Sequence, residues 1–406
     1  MTGVAITGLG LVTPAGIGWE ATWRGLCTGV STAAPDPVLD GLPIDFSCHV
    51  RDFEPRAMAG KSAWRLDRFT QLAVTAARLA VEDARVDTAA WDADRVAVVM
   101  GVGSTSLETL EKEHGKVVRS GRSASVSPLT LPRAVPNMAA GEIALQLGVH
   151  GPNLTLSTDS ASGASALGTA LDLLRAGRCD MVLAGGAESP RSSRFTALLF
   201  SQMATLSARC DTPATASRPF DADRDGFVLG EGAAVLVLER TEHALARRTA
   251  RVRARLLGFG ASADAYHPTG ADPTGAGVSL AVAAALRDAG LGAPDIDHVN
   301  AHGTGTVPGD LVESRVLGRL FPHRPPVTAN KGALGHALGA AGAIEAACAV
   351  LSLEHQTVPP TANLDSPDPQ VTLDVVAKTP RRVRMDHALS TSYGFGGQNA
   401  VLVLGR

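Results

Sequence analysis

Short apolar runs alternate with longer stretches of helical period along the whole chain, and this alternation constrains the fold most. Val4–Ile6, Val96–Met100, Leu154–Leu156, Met181–Ala184, Ala234–Leu238, Val252–Phe259, His298–Asn300 and Ala400–Leu404 read as buried strands. Between them Arg65–Asp83, Ala139–Leu147, Ala161–Arg175, Ala276–Ala289, Asp310–Phe321 and Ala340–Glu354 carry Ala and Leu at helical spacing. The pattern predicts α/β layers around a largely buried sheet. A chain of 406 residues exceeds the roughly 250–300 that one core supports, so two subdomains or a duplicated domain are expected. A strand, a polar turn and an Ala-rich helix at Leu154–Arg175 recur in the same order at Val327–Glu354. Two related halves, 1–246 and 247–406, would then meet near the Arg-rich stretch Arg247–Arg255. Any α/β chain repeats this order to some degree, so spacing alone leaves duplication open.

Charge and composition remove several function classes. The net charge is −3, so no basic field exists to hold nucleic acid, and aromatic residues at 4% give few surfaces for base stacking. Cys27, Cys48, Cys179, Cys210 and Cys348 are scattered and contain no CxxC pair. Neither a metal site nor a secreted disulfide framework is expected. The start of the chain turns quickly into Gly and Pro and reads as a strand, not a signal peptide. The apolar run Ala340–Leu353 is interrupted by Gly342 and Glu345 and falls short of the roughly 18 residues of a membrane span. A soluble, cytoplasmic protein is expected.

Four segments carry residues suited to chemistry. In Ser157–Gly177 a strand gives way to a helix through STDSASG, with Ser160 at the turn. Free N–H groups and the helix dipole there favour developing negative charge, which suits a nucleophile. Ser, Thr and Asp are also the commonest N-caps, so Thr158, Asp159 or Ser160 could instead simply cap the helix. In Val299–Asp310, His302 follows a strand and is succeeded by Gly and Thr, with Thr304 and Thr306 able to donate hydrogen bonds. In Ala329–Ala347, Lys331 and His336 lie among residues too small to cover them. Burial of Lys331 would require an acid such as Glu345 or Glu313; the alternative is a lysine reaching solvent. In Thr391–Ala400, Gly394, Gly396 and Gly397 surround Phe395, as half of an oxyanion hole or as a mobile gate.

Together these segments resemble the β-ketoacyl synthases, the condensing enzymes of the thiolase fold. The resemblance runs through VAITGLGLVTPAG, VPNMAAGEIALQLGVHGPN, DMVLAGGAES, RPFDADRDGFVLGEGAAVLVLE, HGTGT, NKGALGHALGAAGAIEA and SYGFGGQNA. It implies two similar halves in five αβαβα layers, a site between them, and a dimer. It also implies acyl groups delivered on the phosphopantetheine arm of an acyl carrier protein, with no other cofactor and no metal. His302 and His336 would polarise a malonyl thioester for decarboxylation. Lys331 would support them, with Glu345 as its acidic partner. Thr304 and Thr306 would contact the pantetheine arm, and Asp310 and Glu313 would organise the His302 loop. Phe395 would be the gate, its N–H pairing with that of residue 160 as the oxyanion hole.

The chain departs from the family where the nucleophile belongs. The family has Cys where this chain has Ser160, and usually a small neutral residue where it has Asp159. A hydroxyl is far less acidic than a thiol and needs a general base, for which His302 or His336 is available. Asp159 would oppose an alkoxide or orient a histidine. Gln398 replaces the more usual Thr or His and points to an altered pocket near the gate. The reading favoured is a ketosynthase-type acyltransferase of polyketide or fatty-acyl biosynthesis with Ser160 at the nucleophile position. The alternatives are acyl transfer to oxygen or nitrogen, malonyl decarboxylation, and a silent partner subunit like a chain-length factor. The partner would be an identical subunit or a related ketosynthase or chain-length factor.

Overall fold

The computed structural model describes residues 3–104, 106–247 and 249–406; Met1, Thr2, Thr105 and Arg248, the last within the Arg-rich stretch, lie outside them. Ten strands build the frame: β1 (Val4–Thr13), β2 (Val96–Gly101), β3 (Asn153–Leu156), β4 (Met181–Glu188), β5 (Gly232–Arg240), β6 (Ala254–Ala263), β7 (His298–Asn300), β8 (Val327–Thr328), β9 (His387–Gly394) and β10 (Gln398–Gly405). The first five lie in the spatial order β1-β5-β4-β2-β3 and the second five in the order β6-β10-β9-β7-β8. Each set has the same pattern of two antiparallel and then two parallel pairings. Identical order and direction in both sets establish the duplication that spacing alone left open. The sheets join edge to edge where Val4–Ile6 of β1 pairs with Ala254–Leu256 of β6.

Helices cover and separate the sheets. Among them are α1 (Arg68–Asp83), α2 (Leu107–Ser120), α3 (Met138–Leu147), α4 (Ser162–Arg175), α5 (Arg194–Gln202), α6 (Ala276–Ala289), α7 (Val307–Leu320) and α8 (Ala341–His355). α1 and α3 pack outside the first sheet, α6 and α7 outside the second, and α4 and α8 lie between the two. The result is the expected stack of five layers. Close approach of the central helices depends on their glycines. A Cβ on Gly163 would lie 2.7 Å from the Ala343 nitrogen, and one on Gly342 would lie 2.8 Å from the Ala164 nitrogen. The segment Leu338–His355 is long and apolar enough to cross a membrane by composition, but 89% of it is buried inside the protein as this central layer.

Some elements differ from the sequence reading. α7 begins at Val307, three residues before the expected start, because Pro308 is accommodated in a first turn whose N–H groups need no helical partner. β9 lacks an apolar run, since its buried positions include Ser390, Thr391 and Ser392. α2 is charged along most of its length, which hid its period. The run Arg119–Pro136, which has little period in the sequence, lies at the surface of the chain. It contains the end of α2, a turn at Ser123–Ser125 and a short helix at Thr130–Ala134 with Leu131 exposed. In the Arg-rich stretch, Arg253 is buried and clamps Asp83 of α1 (2.7 Å) to Glu354 of α8 (2.6 Å).

Candidate active site

The duplication brings two equivalent turns face to face. Ser160 lies between β3 and α4 in the first half; Lys331 and His336 lie between β8 and α8 in the second. His302 follows β7, and Phe395 stands in the tight turn between β9 and β10. Side chains about 170 residues apart therefore meet because each ends the same kind of strand. All three of Ser160, His302 and His336 line one cavity of about 450 Å³.

Ser160 Oγ pairs with His336 Nε2 at 3.0 Å and donates to Asp159 Oδ2 at 3.1 Å. The two imidazoles meet edge to face with ring centroids 5.5 Å apart, and Phe227 packs edge-on against His336 at 5.3 Å. Behind His302 the Lys331 ammonium is 2% exposed. It donates to the His302 carbonyl (2.7 Å), to His302 Nδ1 (3.2 Å) and to the Glu345 carboxylate. Lys331 therefore does not reach solvent, and of the two acids considered for it, Glu345 makes the bond. Lysine has no acceptor, so His302 Nδ1 must accept, which leaves the hydrogen of the neutral ring on Nε2. Burial, then Lys331 and His336, hold the His302 pKa well below its ordinary value. Burial and then Lys331 do the same to His336. Two neutral rings with an N–H available suit polarisation of a carbonyl oxygen.

The loop carrying His302 is held by acids. Glu313 accepts from the His302 and Gly303 N–H groups at 2.9 and 2.8 Å and from the Thr391 hydroxyl at 2.9 Å. Asp310 accepts from the Gly305 N–H at 3.1 Å and the Phe220 N–H at 2.8 Å. Thr304 and Thr306 bond to each other at 2.9 Å on the cavity wall.

Three expectations are corrected. None of Thr158, Asp159 and Ser160 caps α4: its N-cap is Ala161, with no side-chain bond. Instead Ser162 Oγ ties the turn, donating to the Asp159 carbonyl and accepting from the Thr158 N–H. Second, the Phe395 N–H is not open to a substrate oxygen, because it donates to Asp159 Oδ2 at 2.8 Å. Asp159 bonds Ser160 and Phe395 and orients no histidine. Its backbone is left-handed (φ 49°), a conformation Asp tolerates better than most residues. Gly394 presses on the same turn: a Cβ there would lie 2.6 Å from the Thr158 carbonyl oxygen. Third, Gln398 and Gly396 do not line the cavity, whereas Phe395 and Gly397 do. Gln398 opens β10, paired through its backbone with Gly394 and Ala263, and its side chain lies over Gly396.

Sequence reasoning missed Phe200, Phe227 and Tyr393 as cavity walls. Phe227 and Tyr393 lie inside segments that carry the resemblance but were given no role there, and Phe200 lies in none of them; the fold brings all three to the cavity. It also missed Glu188, buried at the end of β4, which burial pushes up to about 8. Burial likewise raises Asp310 to about 7, and raises Glu345 to about 7 against the pull of Lys331.

These shifts set the pH dependence of stability. In the unfolded chain Glu188 and Asp310 ionise near their ordinary values, so above about 4.5 the folded form holds protons the unfolded form has lost, and stability falls as pH rises through 7–8. His302, His336 and His298 stay neutral when folded and gain protons below 6.5 when unfolded, so stability falls as pH drops below 6.5. Between these limits the two trends oppose. Thermal melts should show a higher Tm at about pH 6.5 than at about pH 8.5. A Tm that rises toward pH 8.5 would mean that Glu188 and Asp310 are ionised in the fold.

A duplicated α/β fold with Ser160 and two imidazoles meeting at the junction of the halves defines a condensing-enzyme scaffold of the thiolase-like type. The β-ketoacyl synthase N-terminal domain matches residues 1–244 and the C-terminal domain matches residues 253–365. The chain is 40% identical, over 98% of its own length and 97% of the relative's, to the 3-oxoacyl-[acyl-carrier-protein] synthase 2 of Vibrio harveyi. Among solved structures it resembles the ishigamide ketosynthase/chain length factor, with a TM-score of 0.93, 34% identity, and coverage of 100% and 99% of the two chains. It also resembles a type II polyketide synthase acyl-carrier protein in complex with its ketosynthase bound to the hexaketide, with a TM-score of 0.91, 28% identity, and coverage of 100% and 99%. The chain belongs to the β-ketoacyl synthase family.

Proposed function

We propose that this chain condenses an acyl group with a malonyl group, with loss of carbon dioxide, and that Ser160 carries the acyl group as an oxygen ester. The observation that carries this reading is the contact of Ser160 Oγ with His336 Nε2 at 3.0 Å inside a cavity that His302 shares. Acyl groups would arrive on the phosphopantetheine arm of a carrier protein, along the wall that bears Thr304 and Thr306. Once Ser160 is acylated, a malonyl thioester would place its carbonyl oxygen at the Nε2–H groups of His302 and His336. Loss of carbon dioxide would leave an enolate stabilised by those donors, and its carbon would attack the ester at Ser160. Lys331 and Glu345 would fix the His302 ring. The resemblance to carrier-protein and chain-length-factor assemblies supports a cytoplasmic subunit that works as a homodimer or as a heterodimer with a related chain.

Intact-protein mass spectrometry after mixing with an acyl-carrier thioester tests this. An acyl mass on the Ser160 peptide, absent from Ser160→Ala, is the expected result. The Phe395 N–H already bonded to Asp159 favours a second reading, malonyl decarboxylation without acylation. Carbon dioxide released from malonyl-carrier protein with no adduct at Ser160 would select it.

A further inference from the structure

We propose that Asp159 is the base that takes the proton of Ser160, and that it keeps the Phe395 N–H occupied until that proton arrives. This rests on Ser160 being the acylated group. The direction of hydrogens around Ser160 carries the inference. His336 Nδ1 is buried and has no partner among the described residues. A hydrogen there would be an orphaned buried donor, which is costly and rare, so the hydrogen of the neutral ring sits on Nε2. Nε2 therefore donates to Ser160 Oγ across 3.0 Å and cannot also accept from it. Among the described residues the hydrogen of Ser160 then has one acceptor, Asp159 Oδ2 at 3.1 Å.

Position makes that acceptor effective. Asp159 precedes Ser160 in a left-handed turn that Ser162 ties and Gly394 packs against, so its carboxylate is held on the hydroxyl. The chain departs from the family pattern at two adjacent positions, and proton transfer makes them one change: a hydroxyl needs a base, and the preceding residue supplies it. Histidine then remains free to donate to the malonyl thioester.

The step balances. Ser160 Oγ forms a bond to the thioester carbonyl carbon while its proton moves to Asp159 Oδ2. Collapse of the tetrahedral centre breaks the C–S bond. The departing thiolate, a stronger base than a carboxylate by several pK units, takes the proton from Asp159. Ester and free thiol are the products, and the carboxylate is restored. Protonation also removes the charge that binds the Phe395 N–H, and that N–H turns to the new oxyanion at the moment it forms.

The test uses octanoyl-N-acetylcysteamine as acyl donor and follows the Ser160 adduct by rapid-quench mass spectrometry. Asp159→Asn keeps the shape and removes the base, and adduct formation should slow by about 10²-fold or more. Asp159→Ala should slow likewise, and added formate should restore it by entering the vacated space, which a merely structural role would not allow. An Asn variant that acylates at the wild-type rate overturns the proposal, as does a folded Ala variant that formate leaves slow. Wild-type protein that gains no adduct from this donor or from a carrier-bound one overturns the Ser160 reading and this inference together. Normal wild-type labelling with an unimpaired Asn variant overturns this inference alone.

Discussion

Replacing either His302 or His336 by alanine is expected to slow carbon dioxide release from a malonyl thioester by about 10²- to 10³-fold, the usual cost of removing one donor to a developing oxyanion. Acylation of Ser160 should survive both changes far better. The reason is geometric. His302 makes no hydrogen bond to Ser160; its ring stands 5.5 Å from that of His336 and its Nδ1 is taken by Lys331. His336 touches Ser160 Oγ, but with Nε2 as donor it steadies the oxygen and does not take its proton. Two assays on the same variants separate the steps: adduct mass at Ser160 reports acylation, and acetyl-carrier protein reports decarboxylation. If the His336 variant lost acylation as completely as decarboxylation, histidine would be the base and the hydrogen directions argued above would be reversed. If both variants decarboxylated at the normal rate, neither ring would have the assigned role.

How far the sequence reaches depends on whether a feature is local. Helices with strong apolar period, such as Ala276–Ala289, and strands covered on both faces, such as Val96–Gly101, follow from spacing because burial on a fixed face leaves that trace. Ser160, His302, Lys331 and His336 stood out because each lies where a strand ends among small residues, and the duplicated strand order then carries them to one junction. Their convergence was read from family resemblance, since no single segment contains it. The contact between Asp159 and the Phe395 N–H was not legible in any form. It joins residues 236 apart, depends on a left-handed residue, and requires a glycine at position 394 to let two turns touch. β9 escaped for a related reason: its buried middle is Ser390, Thr391 and Ser392, of which Thr391 bonds Glu313, so the apolar pattern that marks a strand is missing there.

The buried pair of Lys331 and Glu345 predicts an asymmetry. Glu345→Ala should cost about 3–5 kcal/mol, because it strands an ammonium without the carboxylate bonded to it. Lys331→Met should cost less. The carboxyl it leaves behind is already pushed up to about 7 by burial, and it can keep its proton and remain neutral. The double variant should be more stable than Glu345→Ala alone, since no buried charge is left without a partner. Urea denaturation at neutral pH measures all three, and equal costs for the two single changes would show that the pair is not held as an ion pair against an apolar surround. Activity should divide the other way. Lys331→Met should still fold, but it frees His302 Nδ1 from the ammonium that fixes the ring as the Nε2–H tautomer. The carbonyl-polarising hydrogen is then no longer directed at the cavity, so decarboxylation should fall although the fold persists. A lysine that acted only as structural filling would lose stability and rate together. Here the carboxylate sets the stability, the ammonium sets the direction of one hydrogen, and the two can be measured apart.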